Sequence, residues 1–79
     1  MPPGNSYMRI TYDPQTDAAY IYLKEISPGS VRKTYPCDPR EVGGMINLDF
    51  DSEGILVGIE VIGASKRLPS SLLALDSNK

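Results

Sequence analysis

The sequence predicts an α+β fold, in which an antiparallel meander of four to five strands carries one short C-terminal helix packed on the sheet. Residues 46–62 alternate in polarity around a D-S-E-G turn, which is typical of a β-hairpin. Shorter alternating segments precede the hairpin between turns that contain Pro or Gly, and leucines at helical spacing follow it. We expect residues 7–76 to form a single domain between disordered termini at residues 1–6 and 77–79.

The first two predicted strands flank the turn D-P-Q-T-D, whose Asp and Pro residues favour chain reversal. Residues 8–12, M-R-I-T-Y, alternate, and residues 18–23, A-A-Y-I-Y-L, form the second strand. One face of that second strand carries Tyr20 and Tyr22, and the other carries alanine, isoleucine and leucine. Because neither face is strongly polar, we expect this strand to lie centrally in the sheet.

A third strand is predicted at residues 31–35, V-R-K-T-Y, after a Pro-Gly turn. Its mixed pattern and Lys33 indicate an edge strand, because a lysine there discourages pairing with a stray chain. Residues 36–44 contain two prolines and two glycines, and we expect them to form a loop around Cys37.

The hairpin supplies the fourth and fifth strands. If residues 51–54 form its loop, the predicted pairs are Phe50 with Ile55, Leu48 with Val57, and Ile46 with Ile59. Gly58 leaves a gap in the reverse face, and glycine within a strand often marks a close approach by another group. Two occupants of this gap remain open, a tyrosine ring from a neighbouring strand or a second protein chain.

The C-terminal segment changes from strand to helix periodicity. Leu68, Leu72 and Leu75 follow the spacing i, i+4, i+7 of one helical face. Pro69 suits the first turn of a helix. A helix of about two turns is marginal in water, so we expect its leucines to dock on the sheet or on a partner.

Composition excludes several classes of site. The chain has 79 residues, one cysteine and no histidine, which rules out an internal disulfide and an intrachain zinc site of the usual ligands. The start M-P-P-G-N-S-Y lacks both the basic region and the apolar core of a signal peptide, and no apolar run reaches the roughly 20 residues of a membrane helix. We therefore expect a cytoplasmic location.

Charge argues against nucleic acid as a partner. The net charge is −2 and the pI is about 4.9, so the overall field does not attract phosphates. Two basic pairs, Arg32-Lys33 and Lys66-Arg67, leave weak nucleic-acid binding as a further alternative. Tyr20 and Tyr22 are spaced to stack on bases, although packing or dimerisation suits an acidic chain better.

The hairpin contains a near match to a calcium-binding loop, D-x-D-x-E-G-x₅-E, from Asp49 to Glu60. Calcium loops of this type are flanked by helices, whereas both flanks here alternate with period two. We therefore interpret these acidic residues as a solvated strand face and turn. A cluster of Asp13, Asp17, Asp49 and Asp51 that binds a metal or performs acid–base chemistry is an alternative.

Nucleophilic catalysis lacks its usual partners in this sequence. Cys37 requires an adjacent base and an orienting group, and the chain has no histidine to serve as that base. The serines likewise lack an activating triad. We therefore expect no catalytic residue, no cofactor and no metal site.

Two blocks of sequence resemble one family. The segments I-T-Y-D-P-Q-T-D-A-A-Y-I-Y-L, at residues 10–23, and I-N-L-D-F-D-S-E-G-I-L-V-G-I-E-V-I-G-A-S-K-R-L, at residues 46–68, resemble short bacterial and archaeal proteins classed as domain of unknown function 2283. The resemblance implies no catalytic residue, because the family label carries no established activity. Such proteins look like small partners encoded beside toxins, which implies an antitoxin-like binding module.

These observations predict a non-enzymatic protein-interaction module that forms a homodimer and binds the product of a neighbouring gene. A small core favours self-association, since a chain of this size buries only about 60–65% of its unfolded surface. The candidate interface residues are Tyr20, Tyr22, Leu56, Gly58, Leu72 and Leu73.

Overall fold

The computed structural model describes residues 8–76, which form a five-stranded antiparallel sheet and three single-turn helices. The strands are β1 (Arg9–Asp13), β2 (Ala18–Tyr22), β3 (Lys33–Pro36), β4 (Ile46–Phe50) and β5 (Leu56–Ile62). The helices are α1 (Pro39–Val42), α2 (Ala64–Arg67) and α3 (Ser70–Leu73). The predicted α+β class is confirmed. The disordered termini predicted at residues 1–6 and 77–79 lie outside the described residues.

The strand order is β1-β2-β5-β4-β3, so β2 is central and β3 is an edge, as predicted. Strands β3, β4 and β5 follow one another as a meander, but β2 pairs with β5 rather than with β3. The chain therefore needs a longer connection from β2 to β3, formed by residues 23–32 and called here the β2–β3 loop. This loop crosses the sheet beside the turn that joins β4 to β5.

The hairpin register differs from the predicted one by two residues. Ile46 pairs with Val61 and Leu48 with Ile59, so the predicted partners Ile59 and Val57 were wrong. The shift arises because Ile55 belongs to the turn, where its carbonyl accepts a hydrogen bond from the Asp51 amide at 2.9 Å. A β-bulge then places Leu56 opposite Phe50. A shift of two residues leaves the same side chains on the same face, so the hydrophobic pattern alone could not detect it.

The core lies on one face of the sheet, called here the core face. Its most buried members are Ile10, Ala19, Val61 and Ala64, each no more than 3% exposed. Partly buried apolar side chains surround them: Tyr12, Ile21, Ile46, Ile59, Leu68, Leu72 and Leu73. The alternation of apolar residues in β1, β2, β4 and β5 therefore delivers one continuous apolar layer.

The predicted C-terminal helix is present as two single turns, α2 and α3, separated at Leu68 and Pro69. Pro69 precedes α3, because its ring cannot continue α2 while its fixed φ of −58° suits the start of a helix. Leu68 and Leu72 dock on the core face as expected, and Leu73 packs there with them. The prediction that Leu75 lies on the same docked face is wrong, because α3 ends at Leu73 and Leu75 is 64% exposed. None of the helices in residues 8–76 has the length and apolar character needed to cross a membrane.

Residues 39–42, which were predicted as part of a loop, form the single helical turn α1. The Asp38 carboxylate accepts a hydrogen bond from the Arg40 amide at 3.0 Å, and Pro39 occupies the first turn. Both features are typical helix-starting signals, but they support only one turn here because Gly43 ends it in the left-handed conformation.

Candidate functional site

The face of the sheet opposite the core carries a chain of polar and aromatic contacts that spans all five strands. It is called here the tyrosine face, and one or two residues of each strand lie on it: Arg9, Tyr20, Tyr22, Thr34, Asn47, Asp49, Gly58 and Glu60. Each of these positions alternates with a core-face residue. The same period of two that builds the core therefore also aligns this second set of side chains.

The tyrosine face depends on the absence of a side chain at Gly58. The Tyr20 ring crosses the backbone of β5 at this point, and a Cβ added to Gly58 would overlap the Tyr20 hydroxyl and lie 2.8 Å from ring carbon Cε2. Of the two occupants considered for the gap at Gly58, the tyrosine ring from a neighbouring strand is the one that the structure shows. Glycine is needed at this position for close approach, since its backbone φ is not in the left-handed region.

Crossing β5 allows Tyr20 to reach Asp49 on β4. The Tyr20 hydroxyl donates to Asp49 Oδ2 at 2.5 Å, and the Thr34 hydroxyl donates to Asp49 Oδ1 at 2.6 Å. Asn47 Nδ2 donates to Glu60 Oε1 at 2.8 Å on the same face. Hydrogen bonds to a carboxylate are among the stronger ones in proteins. Asp49 is therefore held in one position by neighbours from two other strands.

The same arrangement affects the ionisation of the Tyr20 hydroxyl. Burial raises the pKa of Tyr20 well above its ordinary value, and the hydrogen bond to Asp49 and the charge of that carboxylate add to the increase. Tyr20 therefore keeps its proton at neutral pH.

The rings of Tyr20 and Tyr22 pack against each other on this face. Their ring centroids are 4.7 Å apart with an interplanar angle of 67°, an edge-to-face geometry. The Arg9 guanidinium carbon lies 4.1 Å from the centroid of the Tyr22 ring, within the range of a cation–π interaction. The aromatic surface therefore already holds one cation from within the chain.

A groove of about 470 Å³ lies between the tyrosine face and the β2–β3 loop. It is called here the tyrosine groove, and its lining residues are Tyr20, Tyr22, Ile26, Ser27, Pro28, Gly29, Val31 and Asp49. This volume is within the range of known small-ligand sites, and apolar walls with a few polar groups are typical of such sites. The groove is open to solvent, so a side chain of another molecule can enter it.

The structure brings together only part of the predicted interface. Tyr20, Tyr22 and Gly58 meet on the tyrosine face, whereas Leu72 and Leu73 pack on the core face. Leu56 pairs with Phe50 at the β-bulge. The six residues therefore cannot form one continuous surface, and the contact role of those on the tyrosine face stays a prediction.

The four carboxylates of the metal-site alternative are not grouped. Asp13 and Asp17 flank the β1–β2 turn, while Asp51 lies in the β4–β5 turn. Asp49 pairs with Gly58, Gly58 pairs with Tyr22, and Tyr22 pairs with Arg9, the first residue of β1. Asp13 is the last residue of β1, so the two turns lie at opposite ends of the sheet. Within residues 8–76, no three acidic or thiol side chains are close enough to hold a metal ion.

The calcium-loop resemblance is also explained by local structure. The span from Asp49 to Glu60 is a β-hairpin, as predicted, and not a loop between helices. The Asp51 carboxylate accepts hydrogen bonds from the amides of Glu53 at 2.9 Å and Ile55 at 3.0 Å, which lower its pKa. Asp51 therefore stabilises the turn, while Asp49 and Glu60 hold hydrogen bonds on the tyrosine face.

Asp17 connects the β1–β2 turn to α2. Its backbone is left-handed, with φ of 54°, and its carboxylate accepts hydrogen bonds from the Tyr12 hydroxyl at 2.7 Å and the Ser65 amide at 3.0 Å. The Tyr12 bond and then the Ser65 bonds lower the pKa of Asp17. The Asp17 carbonyl also accepts from the amides of Gly63 and Ala64. This residue has a structural role in closing the core.

The basic pairs considered for nucleic-acid binding lie apart. Arg32 and Lys33 are at the start of edge strand β3, where Lys33 pairs with Phe50 beside the β4–β5 turn. Lys66 and Arg67 are in α2, which follows the opposite end of β5, and Arg67 packs against Gly43 and Gly44. These four residues do not form one basic patch.

Sequence reasoning missed the contributions of Arg9, Thr34 and the β2–β3 loop to this site. The pairing of β2 with β5 brings them together, and no local pattern indicates that pairing. Two features of the sequence did indicate the site: a strand with two tyrosines on one face, and a glycine within another strand. Together these signals located the centre of the site but not its boundaries.

Comparisons with known proteins identify a family for this chain but no activity. Neither the curated proteins nor the solved structures searched contain a significant match. One family model, described as protein of unknown function (DUF2283), matches residues 9–65, which include all five strands and therefore the whole tyrosine face. The chain belongs to this family.

Proposed function

We propose that this chain is a non-enzymatic module that binds another protein through the tyrosine groove. The observation that carries the proposal is a preformed groove whose floor includes the fixed carboxylate of Asp49. Strands β2, β3 and β4 hold that carboxylate and the aromatic rings, so little ordering is required when a partner binds. Pre-organisation of this kind favours affinity.

The chemistry of the groove supports binding over catalysis. Burial and the neighbouring Asp49 carboxylate raise the pKa of Tyr20, so its phenolate forms less readily than that of a free tyrosine. Cys37 is half-buried in the segment between β3 and α1, away from the residues that line the groove. The tyrosine groove therefore offers a shaped surface and one charge, which are the requirements of recognition.

We further propose an antitoxin-like role, in which the partner is the protein encoded by the adjacent gene. The small size and the net charge of −2 support this assignment. An acidic protein associates faster with a basic partner, because complementary charge steers the encounter. The single free thiol of Cys37 is compatible with a reducing cytoplasmic location.

Co-expression with the neighbouring gene product tests the proposal. The two proteins are expected to co-elute as one complex of defined stoichiometry in size-exclusion chromatography with light scattering. The variant Tyr22→Leu should weaken this complex, whereas Tyr35→Leu should not, because Tyr35 alternates onto the other face of the sheet. Absence of a complex between two folded proteins contradicts the proposal.

Self-association is a separate proposal. The described residues contain only five buried apolar side chains, and six large apolar ones are exposed. A core this small gains stability from a second copy, and two-fold dimers are the commonest assemblies.

A further inference from the structure

The tyrosine groove combines one charge with apolar and aromatic walls. Among the described residues that line it, Asp49 is the only charged one. Tyr20 and Tyr22 lie beside this carboxylate, and Ile26, Pro28 and Val31 provide aliphatic surface from the β2–β3 loop. A complementary ligand therefore has a cationic end and an apolar stem.

Asp49 retains the capacity to bind such a cation. A carboxylate can accept about four hydrogen bonds, and Asp49 accepts one on each oxygen, from Tyr20 and Thr34. Both donors are neutral hydroxyls, so they orient the carboxylate without neutralising its charge. The remaining lone pairs of the two oxygens can accept a paired donor such as the planar fork of a guanidinium.

Arg9 shows within the same structure that this aromatic surface accommodates a guanidinium. Its guanidinium lies over the Tyr22 ring at 4.1 Å. The Tyr20 and Tyr22 rings meet edge to face, so they present differently oriented aromatic surfaces on the side of the groove. A guanidinium stacks on such surfaces better than an ammonium does, because it is planar and more weakly hydrated.

Other ligand classes fit the groove less well. An anion would be repelled by Asp49, since none of the described residues that line the groove is cationic. A wholly apolar ligand would take the Asp49 carboxylate out of water without a compensating charge, which is costly. A long basic side chain satisfies both conditions, because its methylenes cover apolar surface while its head group pairs with the carboxylate.

We propose that the tyrosine groove binds an arginine side chain of the partner protein. The guanidinium pairs with Asp49 beside the rings of Tyr20 and Tyr22, and the methylene stem lies along Ile26 and Val31. The identity of the protein that carries this arginine rests on the proposed function. Binding of arginine by the groove can be measured without that protein.

The direct test uses three blocked tripeptides, glycyl-X-glycine amides in which X is arginine, lysine or citrulline. Citrulline has nearly the shape of arginine and no charge, so it isolates the contribution of the cation. In titrations of the ¹⁵N-labelled chain, the arginine peptide is expected to shift the amides of Tyr20, Tyr22, Asp49 and Gly58. Its affinity should exceed that of the lysine peptide and should exceed that of the citrulline peptide about tenfold.

Matched variants locate the interaction. Asp49→Asn should weaken binding of the arginine peptide about tenfold, whereas Glu53→Gln, which removes the same charge from the exposed β4–β5 turn, should leave it unchanged. Tyr22→Leu should weaken binding and Tyr35→Leu should not. Equal affinity for arginine and citrulline, or equal effects of Asp49→Asn and Glu53→Gln, overturns the inference, and neither comparison requires a partner protein.

The same variants separate this inference from the proposed function. A partner complex that forms normally with Asp49→Asn contradicts arginine recognition while leaving the interaction module intact. Conversely, selective binding of the arginine peptide without any complex with the neighbouring gene product supports the groove specificity and contradicts that choice of partner.

Discussion

Gly58 is the position on the tyrosine face where a single added methyl group should have the largest effect. Gly58→Ala places a Cβ into the Tyr20 side chain, which must leave its position and its hydrogen bond to Asp49. We expect a loss of about 1–3 kcal/mol in the free energy of unfolding, typical of overpacking in a tightly packed site. Urea denaturation measures this loss.

A double-mutant cycle with Tyr20→Leu distinguishes the clash from a general cost of alanine in β5. When the shorter side chain is present, Gly58→Ala should cost much less, since no ring crosses the strand. An equal cost in both backgrounds would contradict the packing argument. The cycle also measures how strongly the two positions are coupled.

Asp17 and Asp51 should make the stability of the fold depend on acid pH. Hydrogen bonds from Tyr12 and Ser65 lower the pKa of Asp17, and the Ile55 and Glu53 amides lower that of Asp51. With ordinary values of 3.8, the unfolded chain binds more protons than the folded chain just below pH 4. Stability from these two groups is therefore present above pH 4 and is lost as the pH falls through their folded values.

Urea denaturation between pH 7 and pH 2.5 checks this expectation. The free energy of unfolding should fall below about pH 4, and the fall should be shallower in Asp17→Asn and in Asp51→Asn. Both variants should also be less stable than the natural chain at pH 7, because they lose charge-assisted hydrogen bonds. The same acid dependence in all three proteins would show that other groups dominate.

At the scale of the secondary-structure elements, the β4–β5 turn depends on Gly54. Its φ is +80°, and a Cβ at this position would meet no atom within 4 Å, so the cost of a substitution arises from the backbone alone. We expect Gly54→Ala to reduce the free energy of unfolding by about 1–2 kcal/mol, and Gly54→Asn to cost less, since asparagine tolerates the left-handed region. Thermal unfolding of the three proteins tests this order, and equal costs for the two variants would contradict it.

The C-terminal turns provide a second comparison at this scale. Leu72 packs against the core cluster, whereas Leu75 is 64% exposed, although helical spacing alone would place both on one face. We expect Leu72→Ala to cost about 1–2 kcal/mol, since its side chain is half-buried. Leu75→Ala should remain within about 0.5 kcal/mol of the natural chain. A larger loss at Leu75 in urea denaturation would indicate that it is covered in solution.

For the whole molecule, local patterns predicted the elements better than their assembly. Alternation predicted β1, β2, β4 and β5 within one or two residues, because each contributes one face to the core. The pairing of β2 with β5 was not predictable, because it depends on contacts far apart in sequence. The register of the hairpin was missed because a two-residue shift preserves the pattern of faces.

The candidate site was predictable in part for the same reason. Tyr20, Tyr22 and Gly58 could be identified from strand periodicity, and Gly58 indicated that another group approaches closely. Asp49 was considered only as a possible metal ligand, since the sequence does not reveal that Tyr20 reaches it across β5. The walls contributed by the β2–β3 loop depend on how that loop crosses the sheet, and loops carry little periodic information.

Self-association is the property of the whole molecule that solution measurements can decide most directly. Exposed apolar side chains include Met8, Tyr35, Met45, Ile55 and Leu75, which are each more than half exposed. We expect sedimentation equilibrium to give twice the mass of the 8.6 kDa chain at micromolar concentrations. The unfolding temperature should rise with protein concentration, because mass action stabilises a dimer whose unfolding releases two chains. A mass of 8.6 kDa together with a concentration-independent unfolding temperature would show that the small core suffices alone.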